Sequence, residues 1–200
     1  VAAPCLTPFG RRGPAPSAKS RQADACGPAF LALQYVGKLL IAENLRDIYW
    51  TLNYLSQHER VDDTRLGCVG LSYGGRMTML TTALEPRIRV AVISGALNCF
   101  QERMATGHVG GCQVIPGLLR IGDVPEIGGL IAPRSCLWEV GTRDNLVDPK
   151  WADVALARIG RAYRALGAES SLHVDRFEGA HEWHGTQAYP LLDGVLKPSG

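Results

Sequence analysis

The stretch that decides the fold is Gly70-Leu71-Ser72-Tyr73-Gly74-Gly75, in which a serine stands at a bend between glycines. An apolar run typical of a buried strand, Leu66 to Leu71, leads into it, and a helix-like run leads out. The pattern G-x-S-x-G predicts a nucleophile elbow, a strained strand-to-helix turn that exposes the serine. We expect the glycines two places on either side of Ser72 to be required, because a side chain there would collide with the neighbouring strand or helix.

The motif by itself is weak, since about one chain in eight of this length and composition would contain it by chance. The surrounding sequence has to support it. The chain has 200 residues, 46% hydrophobic and 20% charged, which predicts a single domain over 1–200 with a substantial core.

Charge and hydropathy exclude several partner classes. The net charge is +2, and the 21 Lys and Arg are scattered without a basic run, so we expect neither nucleic acid nor an anionic membrane as a partner. No apolar run approaches the roughly 18 residues that a membrane-spanning helix needs. No apolar segment follows Arg11-Arg12 to make a secretion signal, so a cytoplasmic location is the expectation.

The six cysteines are widely spaced in a chain of a size that needs no disulfides. Cys68 and Cys136 fall in apolar strand-like runs and are predicted to be buried free thiols. Cys99, His108 and Cys112 offer ligands for zinc, but no C-x-x-C pair supports such a site, and we expect no metal and no other cofactor. A disulfide between Cys99 and Cys112 stays an open alternative.

Strand and helix patterns alternate along the chain, which predicts an α/β fold with a mostly parallel sheet and helices on both faces. The predicted strands are 66–71, 90–93, 135–140 and 171–177, and the predicted helices are 28–41, 44–57, 74–84, 149–166 and 188–195. Residues 1–28 are predicted to be a loop after a stub of strand at 1–3. The long segment 95–133 is predicted to be an excursion of loop and short helices that caps a site.

A serine nucleophile needs a base and an acid that orients the base, both on loops at the carboxyl ends of strands. Asp144 follows the predicted strand that ends at Val140, and His181 follows the one that ends near Phe177. The order Ser, Asp, His is the order that α/β-hydrolases use. Each of these residues could have a purely structural role: Ser72 as a cap at a turn, Asp144 in a turn and His181 in a loop. Their occurrence together favours catalysis.

Two rivals compete for these roles. Asp148 lies four residues after Asp144, but Pro149 follows it, which favours a helix cap. His184 competes with His181, and His-Glu-Trp-His places the second histidine one residue too close for the zinc motif H-E-x-x-H.

Three segments resemble the dienelactone-hydrolase-like and acetylxylan-esterase-like branch of the α/β-hydrolases: Arg65 to Gly75, Gly141 to Asp144 and Phe177 to Trp183. The likeness extends from about residue 20 to the end. It implies an α/β-hydrolase fold with Ser72 as nucleophile, Asp144 as acid and His181 as base. Dienelactone hydrolases carry cysteine where this chain has Ser72, so the resemblance implies a general ester hydrolase.

The sequence differs from this family at the oxyanion hole. Its first donor is predicted to be the backbone N–H of Tyr73. The second donor normally comes from an early His-Gly or Gly-Gly loop, whereas residues 4–13 resemble a later loop of the family. We therefore expect a fragment of a longer enzyme, with the sheet's hydrogen-bonding ladder open beside the serine strand.

The sequence thus predicts a serine carboxylesterase for a small or moderately sized acyl ester, with Trp183 and segment 95–133 as substrate walls. A serine peptidase of the prolyl-oligopeptidase type shares the order of the three residues. A truncated, non-catalytic domain is the alternative from a different class. The oligomeric state is not predicted.

Overall fold

The computed structural model of the chain describes residues 1–13, 25–107 and 109–197. These residues form two compact units, one from 1–61 with 107–117 and the other from 62–106 with the part from 118 onward. The single domain expected over 1–200 stays a prediction. No helix in the described ranges is both long and apolar enough to cross a membrane.

The first unit contains two helices, α1 (Cys26–Gln34) and α2 (Leu40–Ser56), with short 3-10 turns at Gly10–Arg12 and Gly111–Gln113. The predicted helix over 28–41 is wrong at its end, because the chain turns at Gly37 with a φ of +68°, and 40–41 begin α2. The predicted strand at 1–3 is also wrong, since residues 1–6 form no regular element. The buried Asn44 fastens this segment to α2 by accepting the N–H of Thr7 at 2.7 Å and donating to its carbonyl at 2.8 Å.

The second unit contains a four-stranded sheet of β1 (Leu66–Leu71), β2 (Ile88–Ser94), β3 (Ser135–Gly141) and β4 (Leu172–Phe177). All three pairings are parallel, and the spatial order β1-β2-β3-β4 is the order in the chain. The four predicted strands are confirmed to within two residues at each end. One row of register partners runs across the carboxyl edge of the sheet: Leu71, Ser94, Glu139 and Asp175.

Five helices belong to the second unit: α3 (Tyr73–Leu84), α4 (Phe100–Thr106), α5 (Val124–Gly129), α6 (Pro149–Ala165) and α7 (Ala188–Leu196). On one face of the sheet, residues of α7 pack against Leu137. On the other, Gly128 of α5 and Ile159 of α6 lie beside Trp138. Consecutive strand residues point to opposite faces, so the predicted helices on both faces of a parallel sheet are confirmed.

Strand β1 differs from its prediction as a strand buried on both faces. It pairs with β2 on one side and forms an edge of the sheet in the described part of the chain, where Val69 is 48% exposed. The open ladder beside the serine strand agrees with the expectation drawn from the resemblance.

Segment 95–133 consists of α4, α5, two 3-10 turns and loops, which confirms the predicted mixture of loop and short helix. Residues 107–117 belong to the first compact unit and the rest of the segment to the second. Its role as a cap over the site stays a prediction.

Candidate active site

Ser72 stands in a strained turn between β1 and α3. Its φ of 61° and ψ of −121° make it the one non-glycine among the described residues with a positive φ. Its N–H donates to the carbonyl of Ser94 at 2.9 Å, and its own carbonyl accepts the N–H of Arg76 at 2.9 Å. The hydrogen bond to β2 and the start of α3 hold the serine in a backbone conformation that costs of order 1–3 kcal/mol elsewhere.

The glycines around Ser72 differ in what they allow. A Cβ on Gly70 would lie 2.4 Å from the carbonyl carbon and oxygen of Gly74, and one on Gly75 would lie 2.6 Å from the carbonyl oxygen of Ser94. A Cβ on Gly74 would meet nothing within 4 Å. The predicted need for glycine is therefore confirmed at Gly70 and wrong at Gly74, because Gly75 is the helical residue that faces β2.

Asp144 and His181 form a close pair, with 2.8 Å between Asp144 Oδ2 and His181 Nδ1. The Asp144 side chain is 1% exposed, and its Oδ1 accepts the N–H of Leu146 at 2.8 Å. Because the carboxylate is held by its own loop, it fixes the imidazole in one orientation. The other ring nitrogen, His181 Nε2, is shielded from solvent and has no hydrogen-bond partner among the described residues.

Gly95 connects the His181 ring with the serine turn. The ring lies against this glycine so closely that a Cβ there would be 2.8 Å from His181 Cε1. Gly95 directly follows Ser94, whose carbonyl accepts the N–H of Ser72. The structure therefore brings all three predicted residues to the carboxyl edge of the sheet, and the imidazole lies beside the end of β2, the neighbour of the serine strand.

Comparisons with known proteins give matches to hydrolases and esterases. Residues 35–99 match the Prolyl oligopeptidase family. The chain is 28% identical over 164 residues to YtaP of Bacillus subtilis (strain 168), provisionally named a hydrolase, and the match covers 80% of this chain and 55% of that protein. The chain has an α/β-hydrolase fold.

Solved structures share this fold. A carbohydrate esterase family 15 glucuronoyl esterase from Caldicellulosiruptor kristjansonii superposes with a TM-score of 0.62 at 18% identity, over 78% of this chain and 49% of that one. A protein from Bacteroides fragilis NCTC 9343, provisionally named an acetyl xylan esterase, gives 0.64 at 16% identity, over 86% and 47%. The chain thus spans about half the length of the proteins it matches.

The rival acid, Asp148, has a structural role. Its side chain accepts the N–H of Lys150 at 2.8 Å and caps the first turn of α6, which Pro149 begins. The interpretation of Asp148 as a helix cap is confirmed.

The rival base, His184, forms a second imidazole–carboxylate pair. Its Nδ1 lies 2.7 Å from Asp175 Oδ2, its ring stacks on Phe177 at 4.3 Å, and its Nε2 lies 3.2 Å from Thr186 Oγ1. This histidine is occupied on both ring nitrogens, whereas Nε2 of His181 is not engaged by any described group.

Trp183 packs against the cluster of Val92, Leu137 and Ala188, and its ring meets Tyr189 edge to face. Trp183 is thus a partly buried residue that packs against the core just before α7. These contacts explain the side chain without a substrate, and its role in binding one stays a prediction.

The loop that carries Asp144 is tied to α3 through a buried arginine. Arg76 donates to Asn98 Oδ1 and lies 4.8 Å over the ring of Phe100, and burial lowers the pKa of its guanidinium to about 10. Asn98 and Arg103 in turn donate to the carbonyl of Leu146 at 3.4 and 2.6 Å. The acid loop is thereby held by these side chains as well as by its pairing with His181.

All six cysteines are free, so the disulfide alternative between Cys99 and Cys112 is not adopted. Cys136 is buried as predicted, but Cys68 is half-buried because β1 is an edge strand. His108, the third residue of the zinc alternative, lies outside the described residues. Among the described ones, no group of three or more His, Cys, Asp or Glu is placed to hold a metal.

Two buried carboxylates at the site belong to none of the motifs that the sequence presents. Glu139 in β3 has no exposed surface and Asp175 in β4 is 4% exposed. The available signal was an acidic residue inside an apolar strand, Ser135 to Val140, where a charged side chain is almost never fully buried unless it is paired.

Proposed function

We propose that this α/β-hydrolase chain carries the catalytic residues of a serine esterase that cleaves carboxylic esters through an acyl-enzyme on Ser72. The observation that carries the proposal is the buried Asp144–His181 pair beside the strained Ser72 turn, with the second imidazole nitrogen unengaged by described groups. A base must keep one nitrogen available for the nucleophile while the other is held, and this pair meets both conditions.

The reaction follows from these roles. Ser72 Oγ attacks the ester carbonyl carbon as His181 Nε2 takes its proton, and Asp144 stabilises the imidazolium through Nδ1–H. The tetrahedral intermediate expels the alcohol, which receives that proton from His181 and leaves the acyl group on Ser72. Water then attacks the acyl-enzyme with His181 again as base, and the carboxylic acid is released.

The backbone N–H of Tyr73 is proposed as a donor to the oxyanion. Tyr73 is the first residue of α3, so this N–H lies at the positive end of the helix dipole, directly after the nucleophile. An oxyanion that forms on the substrate next to Ser72 would develop its charge there.

The substrate class is proposed from the chemistry and from the neighbours' names. The mechanism needs an acyl carbon with an alkoxide leaving group and uses no cofactor. Both solved structures compared above are named as esterases of carbohydrate substrates or xylan. Acetylated and other acyl sugars are therefore the first natural esters to test, alongside small p-nitrophenyl esters.

A serine peptidase is the second candidate, and the match of residues 35–99 to the Prolyl oligopeptidase family favours it. The two candidates differ in the leaving group, an alcohol or an amine. Hydrolysis of a proline p-nitroanilide peptide at a kcat/KM above that for p-nitrophenyl acetate would favour the peptidase.

The nucleophile is tested by labelling. The folded chain is incubated with a fluorophosphonate and the adduct is mapped by mass spectrometry, and we expect modification of Ser72. The variant Ser72→Ala should lose the adduct and lower kcat for p-nitrophenyl acetate by about 10⁴-fold or more. A folded chain that carries no adduct at Ser72 would contradict the proposal and favour the non-catalytic alternative.

A further inference from the structure

We infer that Ser94, Glu139 and Asp175, here called the polar row, are positioning residues that hold the His181 loop in its catalytic geometry. The inference rests on the proposed function, since it assigns the row a role in the reaction of Ser72. None of the three side chains takes part in the steps described above.

The polar row lies on one face of the sheet at its carboxyl edge. Ser94 is in register with Glu139, and Glu139 with Asp175, on three adjacent parallel strands. Register partners point to the same face, so the three side chains stand side by side. Ser94 and Glu139 have no exposed surface, and Asp175 has 4%.

Every member of the row contacts the segment that follows His181. Ser94 Oγ donates to the carbonyl of Glu182 at 3.3 Å. Glu139 Oε1 accepts the N–H of Gly185 at 2.8 Å, and its Oε2 accepts the N–H of His184 at 3.4 Å. Asp175 Oδ2 lies 2.7 Å from His184 Nδ1. Polar contacts from three strands therefore fix the segment 182–185.

Glu139 also supports the other side of the catalytic imidazole. Its backbone carbonyl accepts the N–H of Gly95 at 3.1 Å, and Gly95 is the residue against which the His181 ring rests. Glu139 thus holds the loop through its side chain, and through its backbone it holds Gly95, which lies against the His181 ring. A shift of the Glu139 side chain would move the base relative to Ser72.

Stability does not explain a carboxylate at this position. Burying a charge costs free energy that its hydrogen bonds offset only in part, and a well-packed apolar side chain is often at least as stable. The residues that surround Glu139 in β3, Leu137, Trp138 and Val140, are apolar and buried. The polar row stands where the sheet meets the His181 loop. Polar side chains at this place fit a role in the precise placement of that loop.

The test compares Glu139→Gln with Glu85→Gln in the full chain. The amide that replaces the Glu139 carboxylate cannot accept both N–H groups, because one end of an amide is a donor. Glu85 is a matched control: its side chain is also buried and accepts a backbone N–H, that of Arg87 at 2.9 Å, but it precedes β2 and so lies at the amino edge of the sheet.

For Glu139→Gln we expect kcat for p-nitrophenyl acetate to fall about 10- to 100-fold, with KM changed less than about twofold, since a misplaced base affects chemistry more than binding. Amide hydrogen exchange of residues 182–187, followed by mass spectrometry, should accelerate by roughly tenfold as the loop is released. Glu85→Gln should leave the kcat and the exchange of this loop unchanged while it lowers the melting temperature.

A second pair of variants tests the positioning role if Glu139→Gln does not fold. His184 is partly exposed, and His184→Ala removes the donor to Asp175. In His184→Asn the amide nitrogen takes the place of Nδ1 and restores that donor. We expect His184→Ala to lower kcat about tenfold and His184→Asn to recover most of it.

The outcomes separate the two proposals. A wild-type chain without a fluorophosphonate adduct at Ser72 overturns the proposed function and the positioning role with it. A wild-type chain that is labelled, together with wild-type kcat and loop exchange in Glu139→Gln and His184→Ala, overturns the positioning role alone. Equal losses of kcat in His184→Ala and His184→Asn also contradict it.

Discussion

Asp144 makes two hydrogen bonds, one to a backbone N–H and one to an imidazole nitrogen. These two partners determine how an amide would be oriented at this position. Oδ1 accepts the N–H of Leu146, and Oδ2 pairs with His181 Nδ1. In Asp144→Asn the amide oxygen must face Leu146, so the NH₂ group faces His181. The imidazole then has to accept at Nδ1 and carries its proton on Nε2, where it cannot act as a base.

We expect Asp144→Asn to fold like the wild type and to lose about 10³- to 10⁴-fold in kcat, the size of effect seen when a triad histidine is held in the wrong tautomer. Steady-state hydrolysis of p-nitrophenyl acetate measures the loss, and circular dichroism checks the fold. A loss smaller than about tenfold would show that another acid orients His181.

Gly70 and Gly74 form a pair for testing the elbow's packing, since they are four residues apart and opposite in surroundings. Gly70→Ala places a methyl group 2.4 Å from the backbone of Gly74 and should destabilise the fold by about 1–3 kcal/mol. Gly74→Ala adds a methyl in open space on a helix and should be neutral or stabilise by up to about 1 kcal/mol. Urea unfolding gives both values, and equal destabilisation by the two variants would contradict the packing described.

At the scale of elements, strands were easier to predict than helix ends. Apolar runs bounded by turns predict the first three strands, because strands in a parallel sheet are mostly apolar on both faces, and a loose alternation predicts the fourth. The sequence pattern predicts too long a helix over 28–41 because the apolar spacing continues across Gly37, although that glycine adopts a φ that breaks the helix. The edge position of β1 has no local signal, since it depends on which strands pair.

Helix α6 offers a test of the interpretation of Asp148 as a cap. Asp148→Ala removes the acceptor for the Lys150 N–H and should lower the free energy of unfolding by about 1 kcal/mol. Its kcat should stay at the wild-type value, in contrast to that of Asp144→Asn. Chemical denaturation and ester turnover on the same preparation measure both quantities. A large loss of kcat would move the catalytic acid to Asp148.

At the scale of the whole molecule, the reactivity of the thiols measures how well the folded chain shields its interior from solvent. Burial raises the pKa of Cys136 to about 12 and that of Cys99 to about 11, and it also raises the pKa of Cys68. Cys26 and Cys112 are buried as well, and Cys5 is exposed. Thiolate is the reactive form, and the raised pKa keeps the thiols of Cys136, Cys99 and Cys68 almost fully protonated at a pH of about 8.

We expect a thiol reagent such as dithionitrobenzoate to react quickly with about one cysteine per native chain, Cys5, and with all six after denaturation. Cys5→Ser should remove the fast phase. A fast phase that persists in that variant, or several cysteines that react quickly in the native chain, would show that the buried thiols become exposed to the reagent.

The sequence by itself determined the α/β class, the mostly parallel sheet and the three candidate residues. Hydrophobic period and turn chemistry are local, and the order Ser, Asp, His can be read along the chain. The tertiary structure alone decided that Gly75 and not Gly74 is required behind the serine, and that His184 is engaged by Asp175. It also placed Ser94, Glu139 and Asp175 beneath the His181 loop. Each of these depends on how strands and loops distant in the chain are aligned with one another, and no local pattern specifies which residues such an alignment brings side by side.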